Sequence, residues 1–151
     1  MTQYHNQNEK TAELIWRDAR GRTFIRSGDI GMLDEDGFLK ILDRKKDMII
    51  SGGFNVFPSD VEAIVGQHPD VKDVTVIGVP HDKWGESCLA LVVPQKSSVA
   101  DSEAIREWCN ARLAKTQKLI GVELRDDFPR NALGKVVKKD LRAPYWKDAE
   151  A

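Results

Sequence analysis

Two apolar runs in the middle of the chain constrain its fold more than any other feature. Val74-Thr-Val-Ile-Gly-Val79 and Cys88-Leu-Ala-Leu-Val-Val93 are rich in β-branched residues, and a proline follows each run, Pro80 and Pro94. Residues of this type favour extended strands, and proline ends a strand because it has no N–H to donate. The runs therefore predict two strands, and the domain around them must be built on a sheet.

Helical patterns and one further strand accompany these runs. Ser59-Asp-Val-Glu62 has the spacing of a capping box, in which the serine and glutamate side chains cap the first turn, and it predicts a helix to about Gln67. Residues 122–125 predict a third strand, and residues 133–141 a short basic helix. Four apolar residues at helical spacing predict another helix: Ile105, Trp108, Cys109 and Leu113. The expected fold class is α+β, a small domain with a three-stranded sheet and packed helices.

The first 43 residues have a different pattern. Residues 9–15 predict a short helix, and residues 22–26 alternate polar and apolar as a half-buried strand does. Asp34-Glu-Asp-Gly37 predicts a turn, and residues 38–42 predict the return strand of a hairpin. An isolated hairpin is only marginally stable in water, so we expect it to belong to a larger body. The predicted divisions are thus residues 1–43, a small domain at 44–143 and a tail at 144–151.

Composition and charge exclude several functional classes. Hydrophobic residues make up 41% and charged residues 31%, which suits a globular protein, and the net charge of -1 gives no bulk attraction to nucleic acid. No apolar run approaches the roughly 20 residues that span a bilayer, and the polar N-terminus lacks the apolar core of a signal peptide. We therefore expect a cytoplasmic protein with no nucleic-acid partner and no transmembrane segment, while peripheral membrane contact stays open.

Cysteine and histidine spacing gives no metal-binding pattern. Cys88 and Cys109 lie far apart, and His5, His68 and His81 share no ligand spacing with each other or with the cysteines. Cys109 falls on the apolar face of a predicted helix, where a reduced core thiol is the favoured interpretation. No metal site is expected in this chain.

Charged residues in two short stretches suit chemistry or domain motion. In Arg26-Ser-Gly-Asp29, an aspartate after a Ser-Gly turn can hold the two hydroxyls of a ribose. Its structural alternative, favoured from this stretch alone, is an aspartate that caps its own turn. Asp43-Arg-Lys-Lys-Asp47 places five consecutive charges between apolar segments. Such a stretch is either a solvated linker or a hinge between two bodies, and the two interpretations are compatible.

Glycine and lysine mark two further stretches. Ser51-Gly-Gly53 permits positive φ and the close approach of a ligand, or it forms a tight turn before the helix. Pro129-Arg-Asn-Ala-Leu-Gly-Lys135 places a lysine on a pliable loop, where its ammonium can meet phosphate or carboxylate oxygens. Taken alone, this lysine is better explained as a solvated residue of a basic segment.

Together with Asp36-Gly-Phe38 of the predicted turn, the four stretches in this order and spacing resemble the adenylate-forming enzymes, which include acyl-CoA synthetases, firefly luciferases and the adenylation domains of peptide synthetases. The resemblance runs from Tyr4 to about Arg142, and residues 43–53 are most similar to medium- and long-chain fatty acyl and aryl CoA ligases. That family activates a carboxylate with ATP, releases pyrophosphate, and then rotates its small C-terminal domain so that CoA can attack the acyl adenylate. The resemblance implies that residues 1–43 end the large AMP-binding domain and that residues 44–143 form the mobile C-terminal domain.

The resemblance also implies roles for particular residues. Asp29 and Arg44 match the residues at the ribose of ATP, and Lys46 matches the hinge. Gly53 matches the glycine that lines the pantetheine path of CoA. Lys135 matches the catalytic lysine that bridges the carboxylate and the α-phosphate. The implied cofactors are ATP, CoA and Mg²⁺, the metal being bound mainly by the large N-terminal domain, which is the expected partner of this chain.

Two alternatives and one departure from the family stay open. The chain could belong to the adenylation domain of a peptide synthetase, or it could be an inactive binding module with the same small fold. Because the family's phosphate loop and acyl pocket lie upstream, we expect the chain alone to be inactive. Lys115-Thr-Gln-Lys-Leu-Ile120 lacks the proline that the family often has there, which leaves the contacts of this segment open.

Overall fold

The computed structural model describes residues 7–96, 99 and 101–147, and the chain divides into two compact units. The first unit ends at Lys46 and the second begins at Asp47, so the division falls inside the charged run at 43–47. The predicted domain limits at 43 and 143 stay predictions. In the part of the chain that the structure describes, no helix combines the length and the apolar character needed to cross a membrane.

The described part of the first unit is a short helix followed by two antiparallel hairpins. Its elements are α1 (Asn8–Leu14), β1 (Ile15–Arg17), β2 (Thr23–Ile25), β3 (Asp29–Leu33) and β4 (Leu39–Arg44). The predicted turn is confirmed, because the Asp34 carboxylate accepts from the Phe38 N–H at 2.8 Å and Gly37 has a φ of 84°. The outgoing strand of that hairpin is β3, not residues 22–26, because β2 pairs back onto β1.

Within the described residues, the second unit is built on a five-stranded sheet. Its elements are β5 (Ile49–Ser51), β6 (Phe54–Val56), α2 (Pro58–Val65), β7 (Val71–His81), β8 (Gly85–Pro94), α3 (Ser102–Asn110), a 3₁₀ turn (Lys115–Gln117), β9 (Leu119–Leu124) and α4 (Lys138–Trp146). β8 is the central strand, with the long antiparallel partner β7 at one edge and β9 added in parallel on the other side of β8. The β5–β6 hairpin joins β8 through the pair Ser51 and Gly85.

The α+β class is confirmed, but the sheet has five strands where the sequence predicted three. The additional strands, β5 and β6, have three residues each, which is too short for an alternating pattern to identify them.

Apolar side chains fill both faces of this sheet, which explains why the two central runs do not alternate with polar residues. One face packs under α2 and α3, with a core that includes Val61, Val76, Ala90, Ile105 and Leu119. The opposite face packs under α4, with a core that includes Ile77, Leu89, Leu91, Val93 and Phe128. Neighbouring residues such as 76 and 77 enter opposite cores because successive strand side chains point to opposite faces.

The capping box predicted at residues 59–62 is wrong. The N-cap of α2 is Phe57, and Glu62 reaches away from the helix terminus. Its carboxylate accepts from the Val76 N–H at 2.7 Å and from the Thr75 hydroxyl at 3.3 Å. Because β7 is an edge strand, its outward N–H at Val76 needs an acceptor, and Glu62 provides it.

The basic helix predicted at residues 133–141 lies further along the chain. A turn with positive φ at Gly134 (77°) occupies the predicted start, so α4 begins at Lys138 instead. The helix continues to Trp146, whose indole N–H donates to the Gly78 carbonyl at 3.0 Å. Residues 144–146, predicted to lie in the tail, are therefore helical and held against β7.

Candidate functional site

Asp29 and Arg44 lie side by side where the β3–β4 hairpin opens. They are paired across the strands, and Arg44 Nε lies 3.5 Å from Asp29 Oδ1. The local backbone is held by the Gly28 carbonyl, which accepts from the Lys45 N–H at 2.9 Å, and by the Ser27 hydroxyl, which accepts from the Asp29 N–H at 3.2 Å. The structure thus brings together the two residues predicted at the ribose, as a partly exposed carboxylate beside a guanidinium.

Lys46 stands at the division between the units. It is the last residue of the first unit, two residues after β4 ends at Arg44 and three before β5 begins at Ile49. A hinge needs a position between elements where φ and ψ can change without breaking a strand. The position of Lys46 is compatible with that requirement, and its role as a hinge stays a prediction.

Gly52 and Gly53 form the turn between β5 and β6. Both have positive φ, 59° and 83°, as a two-residue hairpin turn of type I′ requires. The Gly52 N–H donates to the Trp84 carbonyl at 2.8 Å, and a Cβ on Gly52 would lie 2.8 Å from the Trp84 ring. Gly53 faces open space. Both features predicted for this stretch are therefore present. The tight turn needs both glycines, and the backbone of Gly53 is open to the close approach of a ligand.

A cavity of about 500 Å³ adjoins this turn. The segment that departs from the family pattern, residues 115–120, contributes part of its wall, and the rest is lined by Ser51, Gly52, Phe54, His81, Trp84 and Ser87. That segment is fixed without a proline by Asn110, whose side chain accepts from the Leu119 N–H at 2.8 Å and donates to the Leu119 carbonyl at 3.0 Å. The Lys118 ammonium donates to the Asn110 carbonyl in the same place.

Lys135 follows a tight turn that Asn131 closes. Asn131 Oδ1 accepts from the N–H groups of Leu133 and Lys135, both at 3.0 Å, and the Asn131 N–H donates to the Lys135 carbonyl at 2.9 Å. Gly134 supplies the positive φ of the turn. The Lys135 side chain is exposed and makes no ion pair within the described residues. An ordered backbone thus presents an ammonium group to solvent.

Ion pairs attach this turn to the body of the second unit. Arg130 Nη2 lies 2.5 Å from Asp73 Oδ2, and Arg130 Nη1 donates to the Gly134 carbonyl at 2.9 Å. After the turn, Lys138 Nζ lies 2.7 Å from Glu62 Oε1. The sequence alone gives no partners for these cations. The carboxylates lie 57 and 76 positions away, so no local spacing signals the pairs.

The thiols do not contribute a reactive group to these sites. Burial, with the Glu86 carboxylate adding to it, raises the pKa of Cys88 to about 12. Burial also raises the pKa of Cys109 to about 11, although Arg112 opposes the shift. Both side chains belong to the core under α2 and α3. Among the residues that the structure describes, no group of three or more His, Cys, Asp or Glu side chains is placed to hold a metal ion.

The small sheet with its helices is the arrangement found in the C-terminal domains of acyl-CoA synthetases. The family model described as the AMP-binding enzyme C-terminal domain matches residues 60–135, and the chain belongs to this family. The matched range ends at Lys135 and includes both carboxylates that anchor its loop. The resemblance to the adenylate-forming enzymes is thereby confirmed.

Individual relatives agree with this assignment. The chain is 41% identical over 145 residues to the long-chain-fatty-acid–CoA ligase FadD13 of Mycobacterium tuberculosis. The aligned region covers 96% of this chain and 28% of that protein. ATP-bound MatB from Rhodopseudomonas palustris superposes with a TM-score of 0.83 at 38% identity, covering 99% of this chain and 29% of that one. The o-succinylbenzoate CoA synthetase MenE from Bacillus subtilis, in complex with the acyl-adenylate intermediate OSB-AMP, gives a TM-score of 0.78 at 35% identity, covering 93% and 28%. The chain therefore spans less than a third of the length of each.

Proposed function

We propose that this chain is the C-terminal part of an acid–CoA ligase. The parent enzyme would join a carboxylate to the α-phosphate of ATP, release pyrophosphate, and transfer the acyl group from the adenylate to the CoA thiol, releasing AMP. The observation that carries the proposal is the Lys135 turn, which presents an exposed ammonium on an ordered backbone. Two of the named relatives, FadD13 and MenE, are acid–CoA ligases, so a peptide-synthetase domain and an inactive binding module are not favoured.

Lys135 would act in the adenylation step. A carboxylate oxygen attacks the α-phosphorus, so two anions must approach each other before the bond to pyrophosphate breaks. An ammonium placed against both lowers the electrostatic part of that barrier, and such a donor typically contributes about 10²–10³ in rate. Lysine suits the task because its charge is compact and its stem long enough to reach into a site on another body.

Asp29 and Arg44 would hold the ribose of the nucleotide. An acidic residue accepts hydrogen bonds from the paired ribose hydroxyls, as in other nucleotide sites. The Arg44 guanidinium, 3.5 Å from Asp29, would orient the carboxylate and lie against the sugar. ATP and its Mg²⁺ would otherwise be held by the large domain.

Gly53 and the cavity beside it would serve the second half-reaction. The pantetheine arm of CoA is uncharged and slender, so it can pass an open glycine backbone that a side chain would obstruct. The adjoining cavity has Trp84 and Phe54 for apolar contact and Lys115 at its wall for a phosphate. Lys46 would be the hinge that changes which of the two loops, the Gly53 turn or the Lys135 turn, faces the acyl group.

The test is a chimera in which this chain replaces the matching region of FadD13. Adenylation is measured as pyrophosphate release from ATP and a long-chain fatty acid, and thioester formation is measured from supplied acyl adenylate and CoA. Lys135→Ala should lower adenylation by about 10²–10³ and spare thioester formation. Lys139→Ala, which removes an exposed lysine four residues away, is the matched control and should change neither rate.

Two outcomes would contradict the proposal. One is a folded chimera with no activity in either half-reaction, and the other is an equal loss of both rates in the Lys135→Ala variant. The hinge is tested in the same chimera with Lys46→Pro, because proline fixes φ near -65°. We expect one half-reaction to suffer more than the other, and two unchanged rates would remove Lys46 from the hinge.

A further inference from the structure

We infer that Arg130 is a positioning residue for Lys135, acting on the reaction by fixing the loop at residues 130–136 rather than by touching substrate. The inference rests on the proposed function in assigning chemistry to Lys135. The contacts that support it do not depend on the chemistry of Lys135, because they hold the peptide plane between Gly134 and Lys135.

The peptide plane between Gly134 and Lys135 is restrained on both sides. Its carbonyl, on Gly134, accepts from Arg130 Nη1 at 2.9 Å, and its N–H, on Lys135, donates to Asn131 Oδ1 at 3.0 Å. Gly134 would otherwise be the most mobile residue of the loop, since glycine has no side chain to limit φ and ψ. The direction in which the Lys135 side chain leaves the backbone is therefore set by these two contacts.

Arg130 also connects this plane to the sheet. Its second nitrogen, Nη2, lies 2.5 Å from Asp73 Oδ2 on β7, and the other carboxylate oxygen of Asp73 accepts from the Val74 N–H at 2.9 Å. A planar guanidinium suits this double contact, because its N–H groups are held in a fixed fork. The Asn131 contacts stay within the turn, whereas the Arg130 contact fixes the turn relative to the body of the unit.

A role in stability alone would not explain the arrangement. The side chains of Arg130 and Asp73 are 39% and 40% exposed, and ion pairs with that exposure contribute little to global stability. The position of a catalytic group is far more sensitive, since a displacement of about 1 Å can lower a rate roughly 100-fold. The pair should therefore matter for the reaction much more than for folding.

The first measurement uses the chain itself and does not depend on activity. Amide hydrogen exchange is followed by NMR at Leu133 and Lys135, whose N–H groups report the order of the turn. Arg130→Ala should accelerate exchange at Lys135 by about 10-fold relative to the unaltered chain. Exchange at Ala90, in the centre of β8, should stay unchanged and show that the fold is intact. Arg106→Ala, which breaks another exposed arginine–carboxylate pair on α3, is the matched control and should leave the turn unaltered.

The second measurement uses the chimera with the FadD13 large domain. Arg130→Ala should lower the kcat of adenylation by about 10- to 100-fold, leave the KM for ATP unchanged and leave thioester formation from supplied adenylate intact. Asp73→Asn, which retains an acceptor without the charge, should act in the same direction and more weakly. A defect that were merely structural would lower both half-reactions together.

The possible results separate this inference from the proposed function. Unchanged exchange at Lys135, or unchanged adenylation in an active Arg130→Ala chimera, would overturn the inference. A raised KM for ATP with unchanged kcat would also overturn it, because Arg130 would then bind the nucleotide directly. A chimera inactive even with Arg130 present would count against the proposed function, and the exchange data would then decide whether Arg130 fixes the loop.

Discussion

Replacing Glu62 with alanine should destabilise the second unit strongly. One carboxylate oxygen, Oε1, accepts from the Val76 N–H at 2.7 Å, from Lys138 Nζ at 2.7 Å and from the Thr75 hydroxyl at 3.3 Å. These donors belong to β7 and α4, while Glu62 itself lies on α2. The substitution therefore removes the acceptor that joins elements from both faces of the sheet.

The size of the effect follows from what is left unpaired. Val76 is fully buried, so its N–H would lose its acceptor without gaining water, at a cost of about 1–3 kcal/mol. The Lys138 and Glu62 side chains are 20% and 24% exposed, so breaking their ion pair should cost less than the roughly 3–5 kcal/mol of a fully buried pair. We expect Glu62→Ala to lower the free energy of unfolding by about 3 kcal/mol in total. Glu62→Gln, which keeps an acceptor for Val76, should lower it by about half as much.

Urea unfolding followed by tryptophan fluorescence measures this loss by linear extrapolation, with Trp84, Trp108 and Trp146 reporting on the second unit. Glu103→Ala is the matched control, because Glu103 also pairs with a cation but lies on the exposed surface of α3. The control should destabilise the unit much less. If Glu62→Ala were no more destabilising than Glu103→Ala, the three contacts of Glu62 would not support the fold in solution.

The remaining predictions concern the buried thiols and the glycine turn. Burial raises the pKa values of Cys88 and Cys109 from the ordinary 9.0 to about 12 and 11, so both thiols should resist iodoacetamide at pH 8 until the chain unfolds, as followed by mass spectrometry. Because the folded state favours the protonated thiols, their contribution to stability should be complete below pH 9 and decline as pH rises toward 11 and 12, which urea unfolding at a series of pH values would detect. Gly52→Ala and Gly53→Ala should each cost about 1–2 kcal/mol for a positive φ. Gly52→Ala should cost more because its Cβ would meet the Trp84 ring, and the difference should appear as a lower Tm.

The parts of the fold that the sequence predicted are those with strong local patterns. β7 and β8 are buried on both faces, so their residues form apolar runs that the sequence displays directly. The short strands β5 and β6 carry no such pattern, and their pairing depends on a glycine turn held by the neighbouring Trp84 loop. The capping box failed for a related reason. Glu62 has the correct local spacing for a capping box. Its carboxylate instead accepts from the Val76 N–H on the edge strand β7, which is distant in sequence.

The candidate site divides in the same way. Several short motifs occur in the order and spacing of the adenylate-forming family. This order was enough to select four candidate residues from the sequence: Asp29, Arg44, Gly53 and Lys135. The contacts that fix the Lys135 turn could not be predicted, because Asp73 is 57 positions from Arg130. Only folding of β7 against the segment after β9 brings that carboxylate within reach.

The β7–β8 hairpin supports both loops to which the proposed function assigns a role, and its length separates their two points of attachment. Arg130 ties the Lys135 turn to Asp73 near the start of β7, whereas Trp84, in the connection after the end of β7, holds the Gly53 turn. Asp73 and His81 both lie on β7, and each is paired with a residue of β8. At about 3.3 Å per residue, the two positions are roughly 26 Å apart along the strand. The two loops are therefore attached at opposite ends of the hairpin. If Lys135 serves adenylation and Gly53 serves thioester formation, we expect the second unit to reorient as a body between the two steps.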